Sequence, residues 1–440
     1  MSYLSEWRGL FRHWRSDLVA GLAVAIVALP LALGFAITTG APPSAGLVTA
    51  IVAGFIAALF GGSNFQVSGP TGAMTVVLVP IVAQYGVESL VFVGFIAGAL
   101  IILMALLGLG RFIDKVPLAV MEGFTLGIAA IIALQQIPLI FEVTKAPGIH
   151  TLSVAFDTLK LAISSPINWA SICIVFLTLL IKRSWPRFRL LLRVRIHIPG
   201  SIIAVAVATL VTQFLNLKIA RIGEIPVNLF QFKLPSFPEI SILALLYAAL
   251  IVALLGAIES LLSARVADSL SHRTANQLLN GDSIGVFERH DPKKELIGQG
   301  LATAASALAG GLPATGAIAR TSVNVNAGAR TRLAAMSHAI FLLLAVLLLS
   351  PLVEKIPTAA LAGVLLGTSI RIANPKSVME ALRSTTDVRF VYLATAISVI
   401  FIDLIWGVAI GIAITYIINR IKMFRLKRQQ NRDESQDKGQ

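Results

Sequence analysis

The sequence contains a single cysteine, Cys173, so no disulfide can form within the chain. Charged residues make up 13% of its 440 residues, whereas an average soluble protein has about 25%. The sequence also lacks the GxxxxGK[ST], HExxH and GxSxG motifs and has no Cys and His pairs at metal-ligand spacing. We therefore expect no enzyme activity and no cofactor, and we interpret Cys173 as a packing residue in an apolar segment.

Apolar residues dominate what is present. They form 56% of the chain, and the mean hydropathy is +0.84. Apolar runs of about 17 to 20 residues recur, each long enough to cross a membrane as a helix. These runs lack the polar face that helices of a soluble protein would need. The composition predicts an all-α protein that crosses the membrane many times.

The runs define fourteen candidate spans, of which the third and tenth are short and follow Gly or Pro. In the first half the spans are 17–39, 43–61, 71–85, 88–109, 118–141, 166–181 and 199–216. In the second half they are 241–264, 294–310, 315–328, 333–353, 358–372, 388–404 and 406–424. Seven spans per half predict two repeats of opposite orientation, 17–216 and 241–424, with half-helices at spans 3 and 10. They are flanked by an N-terminal segment, 1–16, and a polar tail, 425–440.

The basic residues agree with this count. With the N-terminus placed in the cytoplasm, 29 of the 36 Lys and Arg residues fall in cytoplasmic segments, 6 fall outside and Arg320 lies within a span. The bias explains the formal charge of +14 without a nucleic-acid partner. We interpret the basic cluster at 182–195 as a topology determinant, with contact to anionic membrane lipid as the alternative. Both termini are expected in the cytoplasm of a cell bounded by this membrane.

Two stretches repeat each other at offsets of 249 and 244 residues. The segments 58–62 and 307–311 both end in Gly-Gly, and the segments 70–74 and 314–318 share Thr-Gly-Ala. A third pair, 114–119 and 354–359, follows at an offset of 240. Paired Gly- or Pro-interrupted apolar segments in two halves are typical of the binding site of a transporter.

A helix that begins inside the membrane presents unpaired N–H groups and a positive dipole end. Half-helices starting near Thr71 and Thr315 would direct two such ends at each other and form an anion site without a metal. Glycines 72 and 316 would let a ligand approach the backbone, and the threonine hydroxyls would add donors. The predicted substrate-binding residues are Thr71, Gly72, Ala73, Thr315, Gly316, Ala317, Ile318 and Arg320. The alternative is that these small residues only permit tight helix packing.

Two charged residues inside spans are candidates for function, because charge is costly there. Arg320 lies four residues after Gly316 and therefore on the same helix face, and it would add positive charge to the anion site. Glu259, near the end of span 8, would couple transport to a proton or a cation. A salt bridge between Glu259 and Arg320 is the structural alternative.

The sequence resembles the sulfate permease (SulP) family of anion transporters over about residues 17–422. The resemblance is carried by five segments: 17–22 with Ala-Leu-Pro at 28–30, Ser-Gly-Pro-Thr-Gly-Ala-Met-Thr at 68–75, Glu-Leu-Ile-Gly-Gln-Gly at 295–300, Gly-Leu-Pro-Ala-Thr-Gly-Ala-Ile-Ala-Arg-Thr at 311–321, and Asn324 with Ala-Gly-Ala-Arg-Thr at 327–331. It implies a seven-plus-seven inverted-repeat fold. Spans 1–4 and 8–11 would form a mobile core, and spans 5–7 and 12–14 a gate, in an elevator-like transporter that is usually a homodimer.

The same resemblance bears on coupling. Similar cyanobacterial transporters that move bicarbonate with sodium carry aspartate at the position of Glu259 and threonine at that of Ser263, whereas proton-coupled relatives carry glutamate. The resemblance therefore favours a proton, with sodium at Glu259 and Ser263 as the alternative and no other metal. Many members of the family append a cytoplasmic STAS domain, and the polar segment 429–440 leaves no room for one.

Three functions remain open from the sequence. The first is secondary-active transport of a small oxyanion, of the sulfate or bicarbonate class, or of a short dicarboxylate. The second is a nucleobase permease of related fold, although Arg320 stands where such a protein would place a second carboxylate. The third is a passive anion channel or a membrane scaffold, neither of which needs Glu259. The expected location is the plasma (bacterial inner) membrane.

Overall fold

A computed structural model describes most of the chain. It covers residues 10, 12–110, 116–148, 150–191, 199–226, 229–230, 240–278 and 289–437, with side chains described except at 189–191, 272–278 and 425–437. Most of the predicted N-terminal segment, Asp114 and Lys115 of the third repeat pair, and Arg193 and Arg195 of the basic cluster lie outside these residues.

The described residues are helical apart from one pair of two-residue strands and the connecting segments. The helices of the first half are α1 (Trp14–Thr39), α2 (Pro43–Val48), α3 (Gly54–Phe60), α4 (Gly72–Tyr85), α5 (Ser89–Leu106), α6 (Leu118–Leu134), α7 (Ile137–Phe141), α8 (Thr151–Ser164), α9 (Trp169–Leu191) and α10 (Gly200–Phe214). Those of the second half are α11 (Ile242–Leu278), α12 (Pro292–Leu308), α13 (Ile318–Asn326), α14 (Leu333–Val353), α15 (Thr358–Ala373), α16 (Pro375–Arg383), α17 (Thr386–Phe401) and α18 (Leu404–Asp437). A π-helical turn, Thr49–Ala53, joins α2 to α3.

The helices follow the apolar runs of the sequence. Counting α2–α3 and α6–α7 as continuous, eight helices among the described residues are long and apolar enough to cross a membrane, and α4 and α10 are shorter apolar helices. The amphipathic helix α8 lies between predicted spans 5 and 6 and was missed, because Asp157 and Lys160 interrupt its apolar pattern. The side chain of Cys173 is exposed on α9, so its interpretation as a packing residue was wrong.

The two strands lie at the predicted helix breaks. Strand β1 (Ser68–Gly69) pairs antiparallel with β2 (Thr315–Gly316), so that Ser68 faces Gly316 and Gly69 faces Thr315. Helix α4 begins at Gly72, as expected for a half-helix near Thr71. Helix α13 begins at Ile318, three residues later than the predicted span, because Thr315 and Gly316 belong to the strand.

Small residues bring several helices into close contact around this strand pair. An added Cβ on Gly98 of α5 would lie 2.5 Å from the carbonyl oxygen of Gly300 on α12, and one on Gly300 would lie 2.6 Å from that of Gly98. The helices α1 and α14 meet at Gly21, where a Cβ would lie 2.0 Å from Ser337 Oγ. Apolar spans gain little from the hydrophobic effect inside a membrane and associate by such close packing.

The chain divides into two compact units. The first comprises Met1–Asp114 and Ile132–Thr368 and contains the strand pair. The second comprises Lys115–Ile131 and Ser369–Gln440. Within the second unit, Gly123 of α6 packs against the backbone of Tyr392 on α17, where a Cβ would lie 2.4 Å from the carbonyl oxygen.

Candidate functional site

The candidate site begins at the N-terminus of α4. Thr71 has extended backbone geometry and precedes the helix, and its Oγ1 accepts a hydrogen bond from the Met74 N–H at 3.2 Å. Threonine in this position satisfies one of the N–H groups that a helix leaves unpaired at its start. Gly72 follows against Ile132, where an added Cβ would lie 2.2 Å from Cδ1. Thr71 is therefore held with its hydroxyl at the end of the helix dipole.

The strand pair places the second threonine beside the first. The N–H of Ala317 donates to the carbonyl oxygen of Val67 at 2.9 Å, which extends the β1–β2 pairing by one hydrogen bond. Thr315 is fully buried, and its Oγ1 lies 3.1 Å from Thr71 Oγ1. The two residues that the internal repeat made equivalent thus meet at one point.

Glu259 reaches this point from α11. The hydroxyl of Thr71 donates to Glu259 Oε2 at 2.7 Å, and that of Thr315 donates to the same oxygen at 2.6 Å. One carboxylate oxygen therefore accepts a hydrogen bond from each of the two threonines. The structure thus brings Thr71, Thr315 and Glu259, three of the predicted site residues, into direct contact.

Arg320, in the first turn of α13, contacts different residues from those that Glu259 contacts. Arg320 is 1% exposed, and its Nη2 donates to the carbonyl oxygen of Pro70 at 3.2 Å. Gly69 leaves room for it, because a Cβ there would lie 2.1 Å from Nη1. Among the described residues, Nη1 has no hydrogen-bond partner. The salt bridge considered between Arg320 and Glu259 is not among the ion pairs of the described residues, and the two side chains bind different partners.

Arg320 does not share a helix face with Gly316, because Gly316 lies in β2 and α13 begins at Ile318, so this prediction was wrong. Arg320 instead belongs to the first turn of α13. Its guanidinium contacts the backbone of Pro70, one of the two residues that connect β1 to α4.

The remaining predicted residues are more dispersed. Ala73 is buried in the first turn of α4, whereas Ile318 is 39% exposed at the start of α13. Ser263 is one turn beyond Glu259 on α11, and its Oγ lies 3.0 Å from Thr321 Oγ1. No described contact joins Ser263 to Glu259 directly. The described residues also contain no group of three or more His, Cys, Asp and Glu side chains arranged to hold a metal ion.

A buried polar network next to the site was not predicted. Glu295 on α12 is 2% exposed and accepts hydrogen bonds from Gln66 Nε2 at 2.7 Å, Ser260 Oγ at 2.7 Å and the Gly62 N–H at 3.0 Å. Ser68 Oγ of β1 donates to Gln299 Oε1 at 2.8 Å. The network holds residues 62–68, which lead into β1, against α12.

A sequence signal for this network existed. Glu295 and Gln299 are spaced four residues apart in an apolar span, and polar residues at that spacing share one helix face. Buried polar groups require partners, so this pair indicates a polar cluster even without coordinates.

The geometry suits an anion. Two helices of the first unit begin close to one point, with threonine hydroxyls between them, and helix N-termini favour negative charge. The carboxylate of Glu259 on α11 already accepts hydrogen bonds from both hydroxyls, so the same donors could serve either Glu259 or an external anion.

A known protein family matches most of the chain. Residues 14–396 match the family model described as "Sulfate permease family". The chain belongs to the sulfate permease family.

Relatives of this sulfate permease family protein agree with the match. It is 34% identical to the putative sulfate transporter YvdB of Bacillus subtilis over 98% of this chain and 79% of that protein. It is 30% identical to the bicarbonate transporter BicA of Picosynechococcus over 95% of this chain and 72% of that protein. The family consists of transporters, so the prediction that the chain is not an enzyme is confirmed.

Solved structures of similar proteins share the fold. The transmembrane domain of a cyanobacterial bicarbonate transporter BicA matches with a TM-score of 0.80 and 30% identity, covering 90% of this chain and 98% of that one. SLC26A9 matches with a TM-score of 0.75 and 16% identity, covering 92% and 65% of the two chains. The protein is therefore an integral, multi-pass membrane protein of a family of anion transporters.

Proposed function

We propose that this protein is a secondary-active transporter of a small inorganic oxyanion, of the sulfate or bicarbonate class, coupled to a proton through Glu259. The observation that carries the proposal is the shared contact of Thr71 and Thr315 with Glu259 Oε2, at 2.7 and 2.6 Å. The names of the relatives support this substrate class. The same contact supports a coupled mechanism over a passive pore, which needs no titratable group at its donors.

Coupling follows from competition for two hydroxyls. An ionised Glu259 accepts both threonine hydrogens and repels a second negative charge at close range. A protonated Glu259 carries no charge, and its own O–H can be a donor, so the threonine hydroxyls become available to the anion. Proton and anion would therefore bind together and be released together, which is the requirement for symport.

Arg320 would support the anion in this mechanism without contacting Glu259. Its charge is fixed beside the start of α4 by the Pro70 carbonyl oxygen. A buried cation in low dielectric attracts an anion over several ångströms. Thr71, Gly72, Ala73 and the backbone from Thr315 to Ile318 would form the remainder of the anion site.

The architecture we propose is the one inferred from the sequence: fourteen spans in two inverted repeats with both termini in the cytoplasm of the inner membrane. The packing of α5 on α12 and of α1 on α14 supports grouping spans 1–4 with 8–11 as a core. Spans 5–7 and 12–14 would form the gate past which the core moves, in a homodimer surrounded by lipid.

Sodium is the second candidate for coupling. The resemblance to family members that move bicarbonate with sodium favours it, and Ser263 lies one turn from Glu259 on α11. The separate hydrogen bonds of Ser263 to Thr321 and of Glu259 to the threonines favour the proton. A short dicarboxylate and a nucleobase remain as alternative substrates to be tested alongside.

Uptake by purified protein in liposomes tests the proposal. Sulfate, bicarbonate, fumarate and uracil are offered separately under an inward proton gradient, an inward sodium gradient or neither. We expect uphill accumulation of an inorganic oxyanion under the proton gradient, and Glu259→Gln should abolish accumulation while retaining some exchange. Accumulation that is unchanged in Glu259→Gln would remove this residue from the mechanism. Accumulation driven only by sodium would select the second candidate, and flux that never becomes uphill would identify a channel.

A further inference from the structure

A cavity of about 250 Å³ lies beside the middle of α4, away from the N-terminal end that carries the candidate site. Its walls come from the end of α1 at Ile37, from Val79 on α4, from the end of α6 at Leu134 and from α8 at Val154. Val79 lies seven residues after Gly72, which corresponds to roughly 10 Å along a helix. The cavity is therefore separate from the threonine pair and Glu259.

Most of the cavity wall is apolar, and one side chain in it is conspicuously unsatisfied. Gln135 follows the last residue of α6, and both polar atoms of its side-chain amide are shielded from solvent without a hydrogen-bond partner among the described residues. Buried amides are almost always paired, and an unpaired one is costly. The amide of Gln135 can accept a hydrogen bond and donate two.

The second polar group is Lys145, which the fold holds in place. The N–H of Val143 donates to the carbonyl oxygen of Pro138 at 3.0 Å, and the N–H of Ala146 donates to Thr158 Oγ1 at 3.0 Å. The loop is thus fastened on both sides of the lysine. Burial lowers the pKa of Lys145, and Lys145 is the sole titratable residue among the described residues that line the cavity.

One cation and one amide define the chemistry of a ligand, because the wall is apolar apart from them and three threonines, Thr38, Thr151 and Thr158. The hydroxyls of Thr38 and Thr158 already donate to backbone carbonyl oxygens of their own helices. An inorganic oxyanion would leave most of its oxygens against apolar walls, which is unfavourable. A carboxylate attached to a compact apolar body would match both parts. Small-molecule sites have this composition, with apolar walls and few convergent polar groups.

We propose that this cavity binds a small organic carboxylate, with the carboxylate group at Lys145 and Gln135 and the apolar body against Val79, Leu134 and Val154. The proposal does not depend on which anion the threonine site carries. It assigns a second binding site, for a different chemical class, to the same chain.

Calorimetric titration of the purified protein with benzoate, in buffer free of sulfate and bicarbonate, tests the site. We expect saturable binding of one benzoate per chain. Lys145→Met and Gln135→Leu should each weaken it at least about tenfold, the effect of losing a hydrogen bond to a charged group. Lys145→Arg should retain it. Lys160→Met is the matched control, because Lys160 is an exposed lysine of α8 outside the cavity wall and should change nothing.

The pH dependence provides a second measurement. Benzoate stays ionised from neutral to alkaline pH, so binding should fall as pH rises through the pKa of Lys145, which lies below the ordinary lysine value of 10.5. Lys145→Arg should keep its affinity over that range, because arginine remains charged.

Three results would overturn the proposal. One is the absence of saturable binding up to about 10 mM benzoate, beyond the millimolar affinity of a weak small ligand. Another is unchanged affinity in both Lys145→Met and Gln135→Leu, each checked for folding by thermal unfolding. The third is loss of binding in a Thr71→Val, Thr315→Val double variant, which would place benzoate at the threonine pair. Binding that survives this double variant supports a separate site, whatever the outcome of the transport experiment.

Discussion

Glu259 Oε2 accepts hydrogen bonds from two threonines that are 244 residues apart in the chain but whose hydroxyl oxygens are 3.1 Å apart. Neither hydroxyl is an independent unit, because a change at one alters the surroundings of the other and of the carboxylate. Groups in one hydrogen-bond network give non-additive effects when they are mutated. The interdependence of these three side chains is therefore measurable.

Thr71→Val and Thr315→Val remove one hydroxyl each and keep the side-chain shape. We expect each variant to raise the half-saturation concentration for the transported anion about fivefold, since a hydrogen bond contributes about 1 kcal/mol. The double variant should raise it by clearly less than the product of the two. Initial uptake rates in liposomes over a range of anion concentrations provide the measurement. Thr209→Val, on helix α10, is a control for loss of a threonine hydroxyl, because that hydroxyl donates to the Val205 carbonyl oxygen of its own helix. Effects of the two site variants that simply multiply would contradict the shared contact.

Arg320→Ala removes a buried cation whose Nη2 holds the Pro70 carbonyl oxygen. We expect the half-saturation concentration to rise at least about tenfold, because the loss of a charged hydrogen-bonding group costs about 1.5–3 kcal/mol. Arg320→Lys keeps the charge but not the planar fork and should lie between the wild type and Arg320→Ala. The same concentration series measures both variants. A wild-type value in a well-folded Arg320→Ala protein would assign the residue a purely structural role.

At this scale the sequence identified Thr71, Thr315, Glu259 and Arg320 as site candidates, because charges and helix breaks in apolar spans are visible without coordinates. It did not predict which of them touch. Gly316 was expected to be helical and to share a face with Arg320, and Arg320 was expected to pair with Glu259 as the alternative to a site role. Gly316 instead pairs with Ser68 in the strand pair. Glu259 binds the two threonine hydroxyls and Arg320 binds the Pro70 carbonyl oxygen.

The strand pair β1–β2 is the element that determines where α4 and α13 begin. It joins two breaks from different halves of the chain, and its four residues are buried. Two-residue strands have no periodicity that a sequence pattern could reveal. The start of α4 was predicted to within a residue from the Gly and Pro that precede it, and Thr71 caps the helix there. Ala317 before α13 has no capping side chain, and that helix begins later than predicted.

Gly316 is one of the two glycines in this strand pair that leave no room for a side chain. A Cβ there would lie 2.1 Å from Gln66 Nε2 and 3.0 Å from the Ser260 Cα. We expect Gly316→Ala to destabilise the protein by about 1–3 kcal/mol through overpacking, seen as a lower midpoint of thermal unfolding in detergent. Gly256→Ala is the matched control, because its Cβ would contact Ile101 at 3.1 Å and approach β2 no closer than 3.9 Å. Equal midpoints of thermal unfolding for the two variants would show that the strand pair accommodates the added methyl group without loss of stability.

For the whole molecule, the extents of the helices followed the apolar runs, because the thickness of a membrane fixes the length of a span. The helix α8 and the extensions of α11 and α18 beyond their predicted spans contain charged residues and fall outside that rule. The orientation of the spans rests on the distribution of lysine and arginine. A labelling experiment can test it, and the single cysteine of the chain makes that experiment simple.

In a Cys173→Ser background, new cysteines replace three exposed residues of the first unit: Ser164, Lys293 and Lys355. Three predicted spans separate the first position from the second, and three more separate the second from the third, including the half-helix α13. Each odd number changes the side of the membrane. In intact cells, a membrane-impermeant maleimide should therefore label Ser164→Cys and Lys355→Cys but reach Lys293→Cys only after permeabilisation. Labelling of Ser164→Cys and Lys293→Cys from the same side would remove one span between them. Lys293→Cys and Lys355→Cys on one side would mean that α13 does not count as a crossing, and the inverted repeat would then fail.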